Sequence, residues 1–202
     1  NNAMKINLLV LYLLIILGCS TDSSVSSYLF KISIDQELTD QAIDGRLLLM
    51  LSTNNDSEPR FQINDGLQTQ LIFGIDLQGI NAGQVIELDG KAFGFPIISL
   101  NEVEEGSYFV QALVNRYEQF SLASGQTVML PPDKGEGQQW NRKPGNWYCK
   151  PARIELKKGG SYSITLDQEI PPIDPPEDTR YIKHVKMKSE LLSKFWGRNM
   201  YL

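Results

Sequence analysis

Alternation of apolar and polar residues constrains the fold of this chain more than any other feature of its sequence. From Tyr28 onward, period-2 patterns and β-rich runs dominate, and no stretch sustains the apolar period of a helix. Short runs of this kind, separated by turn residues, are typical of an all-β domain built as a β-sandwich. The predicted strands are Tyr28–Asp35, Arg46–Ser52, Thr69–Leu77, Gln84–Leu88, Ser107–Phe120, Thr127–Leu130, Ala152–Lys157 and Ser161–Asp167. We therefore expect residues 28–170 to form one β-sandwich domain.

A pair of glycines between two alternating runs predicts a β-hairpin. Gly159 and Gly160 separate the runs Arg153–Lys157 and Tyr162–Leu166. Glycine accepts the positive φ angles that a two-residue hairpin turn requires. We expect the two runs to pair with each other as antiparallel neighbours.

Tyr108 stands near the start of a predicted strand that is entered through a glycine turn. In immunoglobulin-like sandwiches, a tyrosine at such a place turns its hydroxyl back to the backbone, an arrangement called the tyrosine corner. We therefore predict an immunoglobulin-like form of the sandwich with Tyr108 at this corner. The alternative is an ordinary core tyrosine.

Two of the predicted strands are apolar on both faces. Leu47–Leu51 and Phe109–Leu113 carry apolar residues where alternation would place polar ones. A sandwich strand normally has one solvated face. We expect a long loop, or another domain, to cover part of the outer face of the sheet.

The segment Pro131–Pro151 is the loop best suited to cover that face, and it carries three aromatic residues: Trp140, Trp147 and Tyr148. As an exposed platform, the three rings would stack on the sugars of a polysaccharide. Folded back, they would pack as a lid on the sandwich or dock against a neighbouring domain. The doubly apolar strands favour packing.

The start of the chain has the pattern of an exported lipoprotein. Lys5 precedes the twelve-residue run Ile6–Leu17, which is apolar at all positions but one. As a helix this run spans about 18 Å, too short for a bilayer core of roughly 30 Å, so it is interpreted as an export signal. The motif that ends in Gly18-Cys19 resembles a bacterial lipobox, which predicts that Cys19 is lipidated and holds the protein at a membrane of the cell envelope, in the periplasm or on the outer surface.

Charge is distributed unevenly along the chain. The formal net charge is −5, and Thr179–Leu202 holds six of the 19 basic residues but one of the 24 acidic residues. The remaining 13 basic and 23 acidic residues give the rest of the chain a charge of −10. A surface that binds nucleic acid has to be basic, so the acidic body argues against a nucleic-acid partner. Between the two parts, Pro171–Asp178 contains four prolines, which favour an extended linker.

Catalytic and metal-binding patterns are sparse. The sequence has no G-x-S-x-G motif, and its single histidine, His184, lies in the alternating run Tyr181–Met187, which predicts an exposed strand. With Cys19 lipidated, Cys149 is the one remaining thiol, and we expect neither a disulfide nor a cysteine–histidine catalytic pair. No metal site or cofactor is expected, and Asn54–Glu58 is interpreted as a solvated turn rather than a calcium loop.

Six short motifs resemble a known family when taken in order: Glu58–Phe61, Phe73–Asp76, Gly94–Pro96, Gly106–Ala112, Gly135–Trp140 and Pro144–Trp147. They are similar to the N-terminal β-sandwich region of bacterial exported esterases, in which the sandwich precedes an α/β-hydrolase domain of the esterase D-like type. The resemblance covers roughly Arg46 to Leu202, and Ser189–Leu202 looks like the lead-in to that domain. The catalytic residues of the family lie beyond Leu202, and no residue of this chain matches them.

These observations predict a division of the chain and a role for it. Met4 is the expected natural start, so Asn1–Ala3 are interpreted as added residues, and the lipoprotein signal runs to Cys19. The other expected parts are a polar tether in 20–27, a sandwich in 28–170, a linker in 171–178 and the lead-in to an esterase domain in 179–202. The chain itself is expected to be a non-catalytic accessory domain that positions or covers this hydrolase. The alternatives are a carbohydrate-binding module that uses the loop aromatics and a hydrolase in its own right.

Overall fold

Strands make up most of the regular structure, which confirms the predicted all-β class. The computed structural model describes residues 28–122 and 124–202, and the predicted signal and lipobox Cys19 lie outside them. The described residues form twelve strands and one α-helix: β1 (Leu29–Ile34), β2 (Ile43–Ser52), β3 (Leu71–Ile80), β4 (Ile86–Leu88), β5 (Phe93–Phe95), β6 (Gly106–Arg116), β7 (Glu118–Ser121), β8 (Thr127–Leu130), β9 (Trp147–Tyr148), β10 (Ala152–Leu156), β11 (Ser161–Leu166), β12 (Gln168–Glu169) and α1 (Glu190–Trp196).

The strands form three open sheets. In the smaller of the two main sheets, β1 lies between β11, to which it is parallel, and β4, to which it is antiparallel. The larger sheet has the order β12-β9-β6-β2-β3-β5, and β10 pairs with the first half of β6 on the side where β9 pairs with the second half. A separate two-stranded sheet consists of β7 and β8.

The two main sheets share one hydrophobic core. Alternate residues of a strand point to the same face, so Phe30 and Ile32 of β1 meet Leu47 and Leu49 of β2, and all four are fully buried. Burial of each such side chain stabilises the fold by about 1.5–3 kcal/mol. These contacts explain the period-2 pattern of β1, whose alternate residues face this core.

The opposite face of the larger sheet has a second, smaller core. Leu48 and Met50 of β2 pack there with Leu113 of β6, and all three are buried. Four residues cover this face: Ile63, Ile170, and Trp140 and Tyr148 of the segment Pro131–Pro151. The prediction that a loop covers the doubly apolar strands is therefore confirmed.

The predicted hairpin at Gly159 and Gly160 is wrong in its pairing. The tight turn is present, since Gly159 has a φ of 75° and the amide of Gly160 donates to the carbonyl of Lys157 at 2.8 Å. The strands on either side, however, enter different sheets: β10 pairs with β6, and β11 pairs with β1. The turn therefore passes the chain from one sheet to the other, and a local pattern cannot show this.

Three other segments differ from the predicted strands. The predicted strand Ser107–Phe120 is interrupted at Tyr117, so that β6 ends in the larger sheet and β7 begins the two-stranded one. The loop Pro131–Pro151 contains the short strand β9 and is not structureless. Tyr181–Met187 is not a strand, because its residues are exposed and pair with no neighbouring strand among the described residues.

Tyr108 forms the predicted tyrosine corner. Its side chain is buried, and its hydroxyl donates to the carbonyl of Glu104 at 3.1 Å. A second buried tyrosine, Tyr28, donates to the carbonyl of Val103 at 3.0 Å. The two hydroxyls therefore hold the backbone that leads into β6.

Candidate functional site

Trp147 lies inside the domain rather than on its surface. Its side chain is 1% exposed, and the indole Nε1 donates to Oε2 of Glu169 at 2.9 Å. The guanidinium of Arg116 lies 4.0 Å from the ring centre, a cation–π distance. The ring is thus enclosed by residues of the domain, in the position that packing requires.

Trp140 and Tyr148 are half-buried against the second core. The guanidinium of Arg60 lies 4.1 Å from the centre of the Tyr148 ring and covers it. The three aromatic residues singled out in the sequence therefore do not share one exposed, flat surface. Their main contacts are with the domain itself.

A buried polar network lies beside Tyr148, and no motif in the sequence predicts it. The amide of Arg60 donates to Oε1 of Gln111 at 3.1 Å, and Nε2 of Gln111 donates to Oε2 of Glu58 at 2.7 Å and to the carbonyl of Cys149 at 2.9 Å. Nε of Arg60 lies 2.9 Å from Oε2 of Glu58, an ion-pair distance, although its N–H is not aligned for a hydrogen bond. Glu58, expected in a solvated turn, instead satisfies the fully buried amide of Gln111.

A second network anchors the loop Pro131–Pro151 to β6. Nζ of Lys143, which is 2% exposed, donates to the carbonyl of Arg116. The fully buried side chain of Asn146 accepts from the amide of Arg116 at 3.0 Å and donates to the carbonyl of Trp140 at 2.8 Å. Burial, followed by the charge of Lys134, lowers the pKa of Lys143 to about 8. The loop is therefore fixed from beneath by two side chains that water does not reach.

Cys149 and His184 lie in different parts of the chain. Sγ of Cys149 is buried and accepts from the amide of Ala112 at 3.2 Å, and burial raises the pKa of the thiol. His184 is exposed beyond the linker, where its Nδ1 lies 3.8 Å from Oδ1 of Asp178. A catalytic thiol needs a lowered pKa, so the environment of Cys149 is that of a core residue.

Apolar side chains are exposed along one edge of the larger sheet. Phe93 at the start of β5 is 66% exposed, and Ile98 just after the strand is 68% exposed. Beside them, Arg46, Leu48 and Ile72 line a shallow pocket of about 170 Å³. Exposed apolar side chains grouped in this way are typical of a surface that another protein or domain covers.

Residues 171–202 lie outside the two cores. Both cores are built from residues 28–170, and every residue from Pro171 to Lys188 is exposed. Apolar side chains are nevertheless frequent in this segment. The following are about half exposed or more: Tyr181, Ile182, Val185, Met187, Leu191, Phe195, Tyr201 and Leu202. Residues 28–170, which contain both cores, are called the body below. The segment contacts the body through Trp196 and Arg198, which lie against Phe120 and Glu118 of β7.

The predicted membrane attachment depends on Cys19, which lies outside the described residues. Among residues 28–122 and 124–202, no helix has the length and apolar character needed to cross a bilayer. Neither family models, nor curated proteins, nor solved structures gave a match to the chain.

Proposed function

We propose that residues 28–170 form an immunoglobulin-like accessory domain without catalytic function, and that this domain positions a hydrolase domain that follows the 171–178 linker. The observation that carries the proposal is the character of residues 179–202. This segment displays apolar side chains to solvent and yet makes specific contacts with β7. A segment so apolar is expected to be covered by a further layer of protein.

The contacts that anchor the loop Pro131–Pro151 support a positioning role. The aromatic residues of Pro131–Pro151 are held by Arg60, Arg116 and the buried side chains of Lys143 and Asn146. A spacer that sets the place of another domain has to present a fixed surface, and a network of buried polar contacts provides one. The exposed apolar edge at β5 gives this surface a second region that a neighbouring domain would cover.

Attachment to the envelope through lipidated Cys19 completes the proposal. A lipid at Cys19 and the short tether Ser20–Ser27 would place the domain directly at the membrane surface. The linker Pro171–Asp178, at about 3.1 Å per residue in an extended conformation, would span roughly 25 Å before residues 179–202 begin.

The native polypeptide provides the test. Protein extracted with detergent from the membranes of the source organism should be longer than 202 residues and should hydrolyse a short-chain chromogenic acyl ester. The Cys19→Ser variant should leave the detergent-extracted fraction or remain unprocessed. A membrane-bound mature form of Cys19→Ser would contradict the lipid anchor, and a native polypeptide with no hydrolase domain would contradict the accessory role.

The two alternatives give different results in the same preparation. A carbohydrate-binding module would be retained on insoluble polysaccharide, and Trp140→Ala would abolish that retention, because Trp147 is enclosed. A hydrolase in its own right would require the 202-residue chain to turn over the ester alone, with a rate that survives His184→Ala.

A further inference from the structure

Phe120 of β7 is a buried aromatic residue that lies outside both hydrophobic cores. Its side chain is 7% exposed, although its strand belongs to the small separate sheet. The ring of Trp196 meets it edge-on with 5.9 Å between ring centres, and the guanidinium of Arg198 lies 4.2 Å from its centre. Both of these contacts come from the segment beyond the linker, so that segment contributes to the burial of Phe120.

Glu118, two residues earlier on β7, adds an ionic contact to the same segment. Its Oε2 accepts from Nη1 of Arg198 at 2.6 Å, and its Oε1 lies 3.3 Å from Nζ of Lys134. Burial acts to raise the pKa of Glu118, but Lys134 and Arg198 outweigh it and hold the pKa below its ordinary value. Glu118 thus joins β7, the loop Pro131–Pro151 and the C-terminal segment at one point.

Residues 187–202 close into a small unit that presents Trp196 and Arg198 together. The amides of Met187 and Leu202 donate to each other's carbonyls, at 3.1 and 2.8 Å. Between them, Oγ of Ser189 caps α1 by accepting from the amide of Leu192, and Gly197 ends the helix with a φ of 67°. This left-handed turn follows Trp196 directly and precedes Arg198, so both residues reach β7.

We propose that the face of β7 that carries Glu118 and Phe120 is a docking site for the closed unit 187–202 of the same chain, and that this clamp fixes the point at which the polypeptide leaves the body. The linker alone would let that point vary, because eight extended residues are tethered at one end only. The value of a fixed exit for orienting a hydrolase rests on the proposed function, whereas the docking itself does not.

Trypsin cleavage of the complete chain tests the docking. The bond after Lys194 lies within α1, and the bond after Lys183 lies in the exposed segment before the unit. A protease cleaves a structured site through its open form, so the rate at Lys194 reports how often the unit is released. We expect mass spectrometry to show cleavage after Lys194 at least about tenfold slower than after Lys183.

Variants on both sides of the contact sharpen the test. Glu118→Gln should accelerate cleavage after Lys194 by about two- to fivefold, the range measured for partly exposed ion pairs, and Trp196→Ala by about tenfold. Because Trp196 belongs to the segment and to neither core, its replacement leaves the folding of the body intact. Glu87→Gln, an exposed carboxylate on β4, is the matched control and should change neither rate.

A charge exchange separates docking from a general loss of structure. Glu118→Lys should release the unit, and adding Arg198→Glu should slow cleavage after Lys194 part of the way back. The recovery is partial because the new amine at position 118 faces Lys134 and the cation–π contact with Phe120 is lost. Equal cleavage after Lys183 and Lys194 in the unaltered chain, or unchanged rates in Glu118→Gln and Trp196→Ala, would overturn the clamp while leaving the accessory role standing. A native polypeptide without a hydrolase domain would do the reverse.

Discussion

At the scale of single residues, the burial of Trp147 distinguishes packing from ligand contact. The ring fills space beneath Arg116 and donates its N–H to Glu169, so Trp147→Ala removes apolar contacts and leaves a cavity. Truncations of this kind reduce the free energy of unfolding by about 3–5 kcal/mol. Urea denaturation of the 202-residue chain measures the change.

Phe195→Ala provides the comparison for Trp147→Ala. Phe195 is a large aromatic residue that is about half exposed in α1, outside both cores. Its replacement should change the free energy of unfolding by less than about 1 kcal/mol. A Trp147→Ala variant with unchanged stability and lost retention on polysaccharide would instead support the carbohydrate-binding alternative.

At the scale of elements, the buried amine of Lys143 links the stability of the loop Pro131–Pro151 to pH. Burial lowers the pKa of Lys143 to about 8 from an unfolded value near 10.5. Between these values the unfolded state binds the proton more tightly than the folded state, so stability rises as pH increases. Below about pH 8, both states are protonated, and the fold bears the full cost of the buried charge.

The corresponding prediction compares the unaltered chain with Lys143→Met. Between pH 8 and 10, the free energy of unfolding of the unaltered chain should increase relative to that of Lys143→Met by on the order of 1 kcal/mol per pH unit. Taking the difference removes the titrations that both proteins share. Lys31→Met, an exposed position on β1, is the control, and parallel pH profiles of the unaltered chain and Lys143→Met would refute the assignment.

The elements also show where sequence patterns stop being informative. Strands β2 and β6 follow directly from their apolar runs, and the loop that covers their outer face follows from the same runs, because a sheet face of this kind cannot remain solvated. Which strands pair with each other cannot be predicted from these runs, since β10 and β11 are adjacent in sequence and lie in different sheets. A two-residue glycine turn is compatible with both arrangements.

The polar networks were beyond prediction for a related reason. Gln111 and Asn146 are both fully buried, but Gln111 stands in an apolar strand and Asn146 in a loop with glycine and proline, and neither pattern indicates a buried polar partner. Their partners, Glu58 and Arg116, are 53 and 30 positions away in sequence. The alternation in Tyr181–Met187 predicted a strand that is not present. A strand pattern produces a strand only where another strand is available to pair with it.

At the scale of the whole molecule, the body and the C-terminal segment should respond separately to change. Both cores lie within residues 28–170, so a chain that ends at Asp178 should retain the unfolding transition of the body. The loss should be confined to the contacts at Phe120 and Glu118 and amount to about 1–2 kcal/mol. Circular dichroism during urea denaturation measures it.

Self-association should also become weaker in the same shortened chain. Removing residues 179–202 takes away nine exposed large apolar side chains while uncovering the single ring of Phe120, so the shortened chain presents less apolar surface to other copies. Sedimentation velocity over a range of concentrations should show weaker association than in the 202-residue chain. Phe120→Ser in the shortened chain removes the newly exposed ring and should weaken association further, which separates the effect of β7 from that of the edge at β5. Collapse of the β-sheet signal on shortening would mean that the segment is part of the body, and the division between a rigid body and a docked unit would then have to be abandoned.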